Sequence, residues 1–576
     1  MKTLLPFLKP YRKECILSPL LKCFEAILEL FVPLIMAAII DNGIAAHDSA
    51  YVLRMGLLLV LLGLLGFGGS IVAQYFAAKA AVGFGTQLKA ALFAHIQRFS
   101  YTELDTLSTP TLINRMTADL NQVQTGVNQV LRLLLRSPFI VVGAMLMAFT
   151  VDVKTSVIFV VLIPLLALVV VGIMWLSLPR HKRIQAQLDR VLLHTRENLT
   201  GVRVLRAFNK QESETAQFTA DNNLLSQMQQ RVGKLSALMN PLTYAMVNFA
   251  LIALLWGGAL QVQTGVLTTG AVVALVNYLS QILVELIKLA NLIVVITKAI
   301  ACAARIETVF QQAPGMQNPA SPIPAPASGP ECVRFQNVCA RYQGAGGDSL
   351  TGVDFTALRG QTIGIIGGTG SGKSTLVNLI PRFYDAASGS VWVDGVNVKD
   401  QALPALRGKI AVVPQKAALF GGTIRQNLRW GKQDATDEEL WAALETAQAA
   451  EVVRGKALQL DEPIDQNGRN LSGGQRQRLT IARALVKKPE ILILDDSASA
   501  LDFATDAALR RALKRLDTRT TVFVVSQRAS SVRFSDFILV LDEGAMVGRG
   551  THEELLASCP VYQEIYYSQY PKEAML

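Results

Sequence analysis

The stretch "GGTGSGKST" at 367–375 decides the fold of the second half of this chain. It follows the strand-like "TIGII" and precedes the helix-like "TLVNLIPRF", so it fits G-x-x-x-x-G-K-[ST] in the strand–loop–helix setting that pattern requires. Gly367, Gly370 and Gly372 let backbone N–H groups turn inward around phosphate oxygens, with Ser371 and Thr375 in the same loop. Lys373 supplies a mobile cation for the β and γ phosphates, and Ser374 a hydroxyl for Mg²⁺. Around this loop short β-rich runs ("VWVDG", "IAVVP", "EILILDD", "TVFVVS", "FILVLDEG") alternate with helical stretches. Alternation of that kind predicts an α/β domain with a largely parallel sheet over 331–576. "ILILDD" at 491–496 reads as a buried strand ending in acid, and Asp495 is the expected Mg²⁺-side carboxylate.

"LSGGQRQR" at 471–478 is the most specific string in the chain. Together with the phosphate loop it makes the sequence resemble the ATP-binding cassette (ABC) proteins, with a dense match from about 335 to 555. The resemblance implies ATP and Mg²⁺ as cofactors. It implies that Tyr342, 25 residues before Gly367, stacks on adenine, and that Gln415 in "VVPQKAALFGGTI" senses Mg²⁺ beside the membrane domain. It also implies that Ser472, Gly473, Gly474 and Gln475 form a signature loop contacting the γ-phosphate held by the opposite subunit, and that Asp502 in "SALD" lies in a loop passing between subunits. One cassette per chain then implies two chains with two ATP molecules between them.

Two positions depart from the family pattern. The family usually has glutamate after the Mg²⁺ aspartate, to polarise the attacking water; here that residue is Asp496. The family usually has a histidine after the next strand; the matching "TVFVVSQRAS" has Gln527, and the chain's histidines are 47, 95, 181, 194 and 552. Glutamine donates a hydrogen bond but cannot become a cation or relay a proton. Both catalytic positions are altered while the binding residues are kept. This profile resembles the degenerate-site subunit of heterodimeric multidrug-type exporters, whose partner brings the glutamate and histidine. A homodimer in which Asp496 replaces the glutamate is the alternative.

The first half has a different texture. Of the 576 residues 51% are hydrophobic and only 17% charged, with a mean hydropathy of +0.34. Soluble chains carry about 25% charged residues. The composition excludes a disordered or collagen-like chain and a nucleic-acid arm, and no nucleic-acid partner is expected. Apolar stretches long enough for a bilayer, about 20 residues, fall near 15–40, 55–78, 130–150, 155–178, 241–261 and 271–296. Together with two long polar segments, 79–129 and 179–240, they make 1–310 an α-helical transmembrane domain. The polar segments read as helices continuing past the membrane. The segment 179–240 carries ten basic residues, whereas the short loops at 41–54, 151–154 and 262–270 carry two, Arg54 and Lys154. The positive-inside rule therefore puts the N-terminus, both long segments and the cassette in the cytoplasm. The net charge of +11 fits basic cytoplasmic loops rather than a DNA binder. The start "MKTLLPFLKPYRKE" shows no signal peptide and reads as an amphipathic interfacial segment. Residues 311–330, with six prolines in "QQAPGMQNPASPIPAPASGP", read as an extended linker. The six cysteines show no C-x-x-C pair, so neither a disulfide framework nor a zinc site is expected.

Six spans fused to one cassette resemble exporter-type half-transporters of a bacterial cytoplasmic membrane. That resemblance places short coupling helices near 109–115 and 201–208. In the sixth span Asn277, Gln281, Glu285 and Lys288 are spaced 4, 4 and 3, on one helical face; Lys22, Glu25 and Glu29 share a face of the first. Ionisable groups in spans normally face a bundle interior or a wet cavity. Two readings stay open: a cavity that receives substrate, or pairing between helices. The implied function is ATP-driven export of a small amphipathic substrate (a drug, lipid or peptide). An importer on the same fold and an ATP-gated channel are the alternatives.

Overall fold

In the computed structural model, residues 3–324, 329–515 and 520–570 are described. Positions 325–328 of the proline-rich segment lie outside them. The chain divides into two compact units: one comprises 1–97 and 110–312, the other 98–109 and 313–576.

The first unit contains six helices long and apolar enough to cross a membrane, among the described residues: Leu5–Ile44, Ser49–Ile96, Thr109–Val151, Val153–Thr200, Gln211–Gln263 and Thr269–Gln311. They coincide with the six apolar stretches. The second and fourth have 48 residues each. At about 1.5 Å per residue that is ~70 Å, more than twice a ~30 Å hydrocarbon core, so the long polar segments are continuations of the spans. The short loops are tight capped turns. Asp48 accepts from the Tyr51 N–H at 3.0 Å, Asp152 from Thr155 at 2.7 Å, and Thr268 from Ala271 at 3.2 Å. Each cap satisfies a donor that a helix start leaves free. Ala73, Ala77, Ala80 and Ala81 are fully buried along the second helix. Such small residues allow helix backbones to approach closely, and Ser18 on the first helix donates to the Ala73 carbonyl at 2.9 Å. Outward faces carry Leu168, Trp175, Phe249 and Trp256, each at least 70% exposed, as lipid-facing surfaces do.

Short helices lie at Tyr101–Leu107, Thr109–Asn114 and Val202–Ala207. The last two stand at the expected positions, near 109–115 and 201–208, and Thr109–Asn114 also opens the third long helix. The helix at Tyr101–Leu107 was not anticipated, and its bounds are local. Ser100 and Glu103 form a capping box that starts a helix at Tyr101, and Ser108, with φ 59°, ends it.

Among the described residues the second unit holds twelve strands: β1 Glu331–Ala340, β2 Leu350–Leu358, β3 Thr362–Gly367, β4 Ser388–Val393, β5 Val396–Asn397, β6 Ile410–Val413, β7 Gly422–Thr423, β8 Pro463–Ile464, β9 Ile491–Asp495, β10 Thr521–Val525, β11 Phe537–Asp542 and β12 Ala545–Gly550. Ten form one sheet in the order β5-β4-β1-β2-β12-β11-β3-β10-β9-β6. The run β11-β3-β10-β9-β6 is parallel, as the alternation predicts. Its strands are buried on both faces, hence their unbroken Ile/Leu/Val runs. The other half, β5-β4-β1-β2, is antiparallel.

Candidate nucleotide site

Adjacent parallel strands all end on one side of the sheet, and ligands of open α/β sheets bind there. The phosphate loop leaves β3, Asp495 ends β9 with Asp496 next, Gln527 follows β10, and Gln415 follows β6. These four strands are neighbours, β3-β10-β9-β6. The topology thereby gathers residues more than 150 positions apart around a cleft of about 550 Å³, lined among others by Tyr342, the phosphate loop from Gly370 to Thr375, Gln415, Asp495, Asp496 and Gln527.

The loop's shape needs its glycines. Gly370 and Gly372 have φ of 82° and 93°, the left-handed region that residues with a Cβ rarely adopt. A Cβ on Gly367 would sit 2.1 Å from the Leu541 carbonyl oxygen. Lys373 donates from Nζ to the carbonyl oxygens of Gly367 at 2.9 Å and Gly368 at 2.5 Å. Burial pushes its pKa down, and Asp496 and Asp495 oppose that. Ser374 Oγ donates to Asp495 Oδ1 at 3.0 Å. Burial holds the Asp495 carboxyl above the usual carboxylate range; the Ser374 hydrogen bond opposes this, and the charge of Asp496 adds to it. The buried Asp495 carboxylate, the Ser374 hydroxyl and the Gln415 amide form an oxygen-rich donor set, which suits Mg²⁺. A bound Mg²⁺ would supply neutralisation of phosphate charge there.

Asp496 has φ 45°, a conformation aspartate tolerates better than most residues. Its N–H donates to the Val525 carbonyl at 3.0 Å, and Gln415 Nε2 donates to its Oδ2 at 3.2 Å. Tyr342 lines the cleft, its hydroxyl 3.0 Å from Thr375 Oγ1. Its ring meets Tyr384 edge-on at 5.0 Å. Tyr384 donates to Asp105 of the short helix Tyr101–Leu107 at 2.7 Å and stacks on Tyr101 at 5.8 Å. This chain of contacts has no signature in the sequence.

The signature loop lies outside this cleft. Ser472 caps the helix Gly473–Val486 in a reciprocal box with Gln475: the Gln475 N–H donates to Ser472 Oγ at 3.2 Å, and the Ser472 N–H to Gln475 Oε1 at 3.0 Å. A Cβ on Gly473 would meet open space. Asp502 caps Phe503–Leu513 by accepting from the Thr505 N–H at 2.9 Å. Sequence reading missed Asp348, Ser349 and the Glu543–Gly544 turn, which also line the cleft. The turn had a signal: two residues between strands, with φ of 44° and 85°, a glycine-bearing hairpin. Its neighbourhood to β3 had none.

In the membrane unit Asn277, Gln281 and Glu285 line a cleft of about 480 Å³ together with Glu29 and Lys288. Glu285 also pairs with Arg136 at 2.8 Å and accepts from Ser137 at 2.7 Å. One face thus both lines a cleft and pairs with the third helix.

The family model for the ABC transporter transmembrane region matches residues 15–286, and that for the ABC transporter matches 350–499. An uncharacterized ABC transporter ATP-binding protein of Mycobacterium tuberculosis is 37% identical over 98% of this chain and 97% of its own length. The chain belongs to the ABC transporter family. A further ABC transporter ATP-binding protein, from Bacillus subtilis, is 35% identical across 100% of this transporter and 99% of its own length. An ATP-dependent lipid A-core flippase of Bordetella pertussis is 31% identical, covering 98% of this chain and 90% of the flippase. The solved structure of a bacterial Atm1-family ABC exporter with ATP bound superposes with a TM-score of 0.80, at 23% identity, over 98% of this transporter and 99% of that chain. This ABC transporter therefore has the exporter half-transporter fold. It is a multi-pass membrane protein with a cytoplasmic nucleotide-binding domain. ABC transporters as a family couple ATP hydrolysis to transport.

Proposed function

We propose that this chain is one half of a heterodimeric, ATP-driven exporter of amphipathic molecules. It holds ATP at a degenerate site and lends its signature loop to the working site of its partner. The observation that carries the reading is the composition of the cleft. The phosphate-holding residues are all present, yet the cleft carries Asp496 and Gln527 where the family usually has glutamate and histidine. Aspartate is one methylene shorter than glutamate, so its carboxylate sits about 1.5 Å further back. Displacements near 1 Å cost on the order of 100-fold in rate. Gln415 also holds the Asp496 carboxylate from one side. The location of Ser472–Gln475 outside the chain's own cleft supports a signature loop used in trans. The likeness to a lipid A-core flippase supports an amphipathic substrate and the outward direction. In the cytoplasmic membrane of a bacterium, the partner is a second half-transporter with Glu and His at the two altered positions.

Purification of the tagged chain from native membranes, with mass spectrometry of the intact assembly, tests the pairing. The expected result is a one-to-one complex with a second half-transporter of different sequence bearing those two residues. An ATP-hydrolysing particle made of this chain alone would overturn it.

A further inference from the structure

We infer that the cleft inside the membrane unit takes a zwitterionic amphipath, a ligand with an ammonium and an anionic group beside an apolar chain. The inference rests on the exporter reading and narrows its substrate class. The cleft measures about 480 Å³, within the usual range for small-molecule sites. Its apolar lining includes Val32, Pro33 and Met36 of the first helix and Val284 of the sixth.

The charged residues decide the class. The cluster is balanced: Lys22, Arg136 and Lys288 stand against Glu25, Glu29 and Glu285. Net charge therefore selects neither cations nor anions. The balance is not uniform at the cleft wall. Glu285 is only 3% exposed and is saturated by Arg136, Ser137 and Lys288. Glu29 keeps 41% of its side chain exposed and gives only Oε2 to Arg136, at 2.7 Å. Lys288 keeps 42% exposed and uses one of three N–H donors on Glu285, at 2.7 Å. The cleft thus offers one accessible carboxylate on the first helix and one accessible ammonium on the sixth, with Arg136 and Glu285 linking them beneath. In addition, Gln281 lines the cleft, and its Oε1 is buried with no hydrogen-bond partner among the described residues. A monocation would not engage Lys288, and a monoanion would not engage Glu29.

The test uses the purified pair in phosphatidylglycerol nanodiscs with three probes of equal chain length, all below their micellar concentrations: N-dodecylglycine, dodecylamine and dodecanoate. ATPase stimulation and direct binding of radiolabelled probe are measured. The zwitterion should act at a concentration at least tenfold lower than either singly charged probe, the scale of one partly exposed charge-assisted contact of about 1.5 kcal/mol. Glu29→Gln should weaken the zwitterion about tenfold and leave dodecanoate unchanged; Lys288→Met should weaken the zwitterion and leave dodecylamine unchanged. Equal potency of the three probes, no binding of any, or indifference to both substitutions overturns the assignment. A pair that assembles and turns over ATP under any of those results keeps the exporter reading intact. Absence of the pair or of its ATPase counts against that reading instead.

Discussion

Gly474→Asp in this chain should lower ATP turnover of the assembled pair by about 100- to 1000-fold, the scale of losing one anion-stabilising contact. Gly474 lies at the start of the helix Gly473–Val486, where free N–H groups and the helix dipole favour an anion. A Cβ there would stand 3.2 Å from the Ala500 carbonyl oxygen, so the new side chain is forced toward the exposed face. A carboxylate on that face would meet the γ-phosphate of ATP held by the partner. The backbone N–H of position 474 stays in place, so the repulsion carries the effect. Steady-state phosphate release reads the effect. Because Gly474 lies outside the chain's own cleft, nucleotide binding at that cleft should persist, which separates a trans effect from misfolding. Turnover above a tenth of the unmodified pair would contradict a signature loop acting on a working site.

Arg136→Ala should destabilise the membrane unit by about 3–5 kcal/mol, the range seen when one partner of a buried ion pair is removed. Arg136 is 9% exposed in its side chain and holds Glu285 at 2.8 Å and Glu29 at 2.7 Å. Its loss leaves Glu285, itself buried, with Ser137 and Lys288 alone. Thermal unfolding in nanodiscs measures the change. Glu285→Gln combined with Arg136→Ala should recover part of it, because the uncompensated charge is then gone. A shift below 0.5 kcal/mol, typical of surface sites, would mean that the cluster is solvated rather than structural.

The two halves of the chain were legible to different depths. The spans announce themselves, since a bilayer demands about 20 apolar residues in a row whatever their neighbours. The phosphate loop is equally local: strand, glycines, lysine and helix lie within 25 residues. What could not be read is adjacency. Asp348 and Glu543 reach the cleft only because β12 pairs with β2 and β11 with β3, and sheet order is not written in any one segment. The short helix Tyr101–Leu107 was also not anticipated; its boundaries come from the Ser100–Glu103 box and the left-handed Ser108. The partners of Glu285 on the third helix were likewise invisible, although helical spacing put Asn277, Gln281 and Glu285 on one face.

The central claim is that hydrolysis does not depend on the carboxylate of this chain. The most direct measurement is steady-state ATPase of the purified pair carrying Asp496→Asn. A working general base is worth about 10²–10⁴ in rate; Asp496 is one methylene shorter than glutamate and accepts from Gln415 at 3.2 Å. The account predicts that Asp496→Asn leaves most turnover in place, while Gly474→Asp removes it. If Asp496→Asn stops hydrolysis as completely as Gly474→Asp, the site is not degenerate, and a transporter whose catalytic base is an aspartate takes its place.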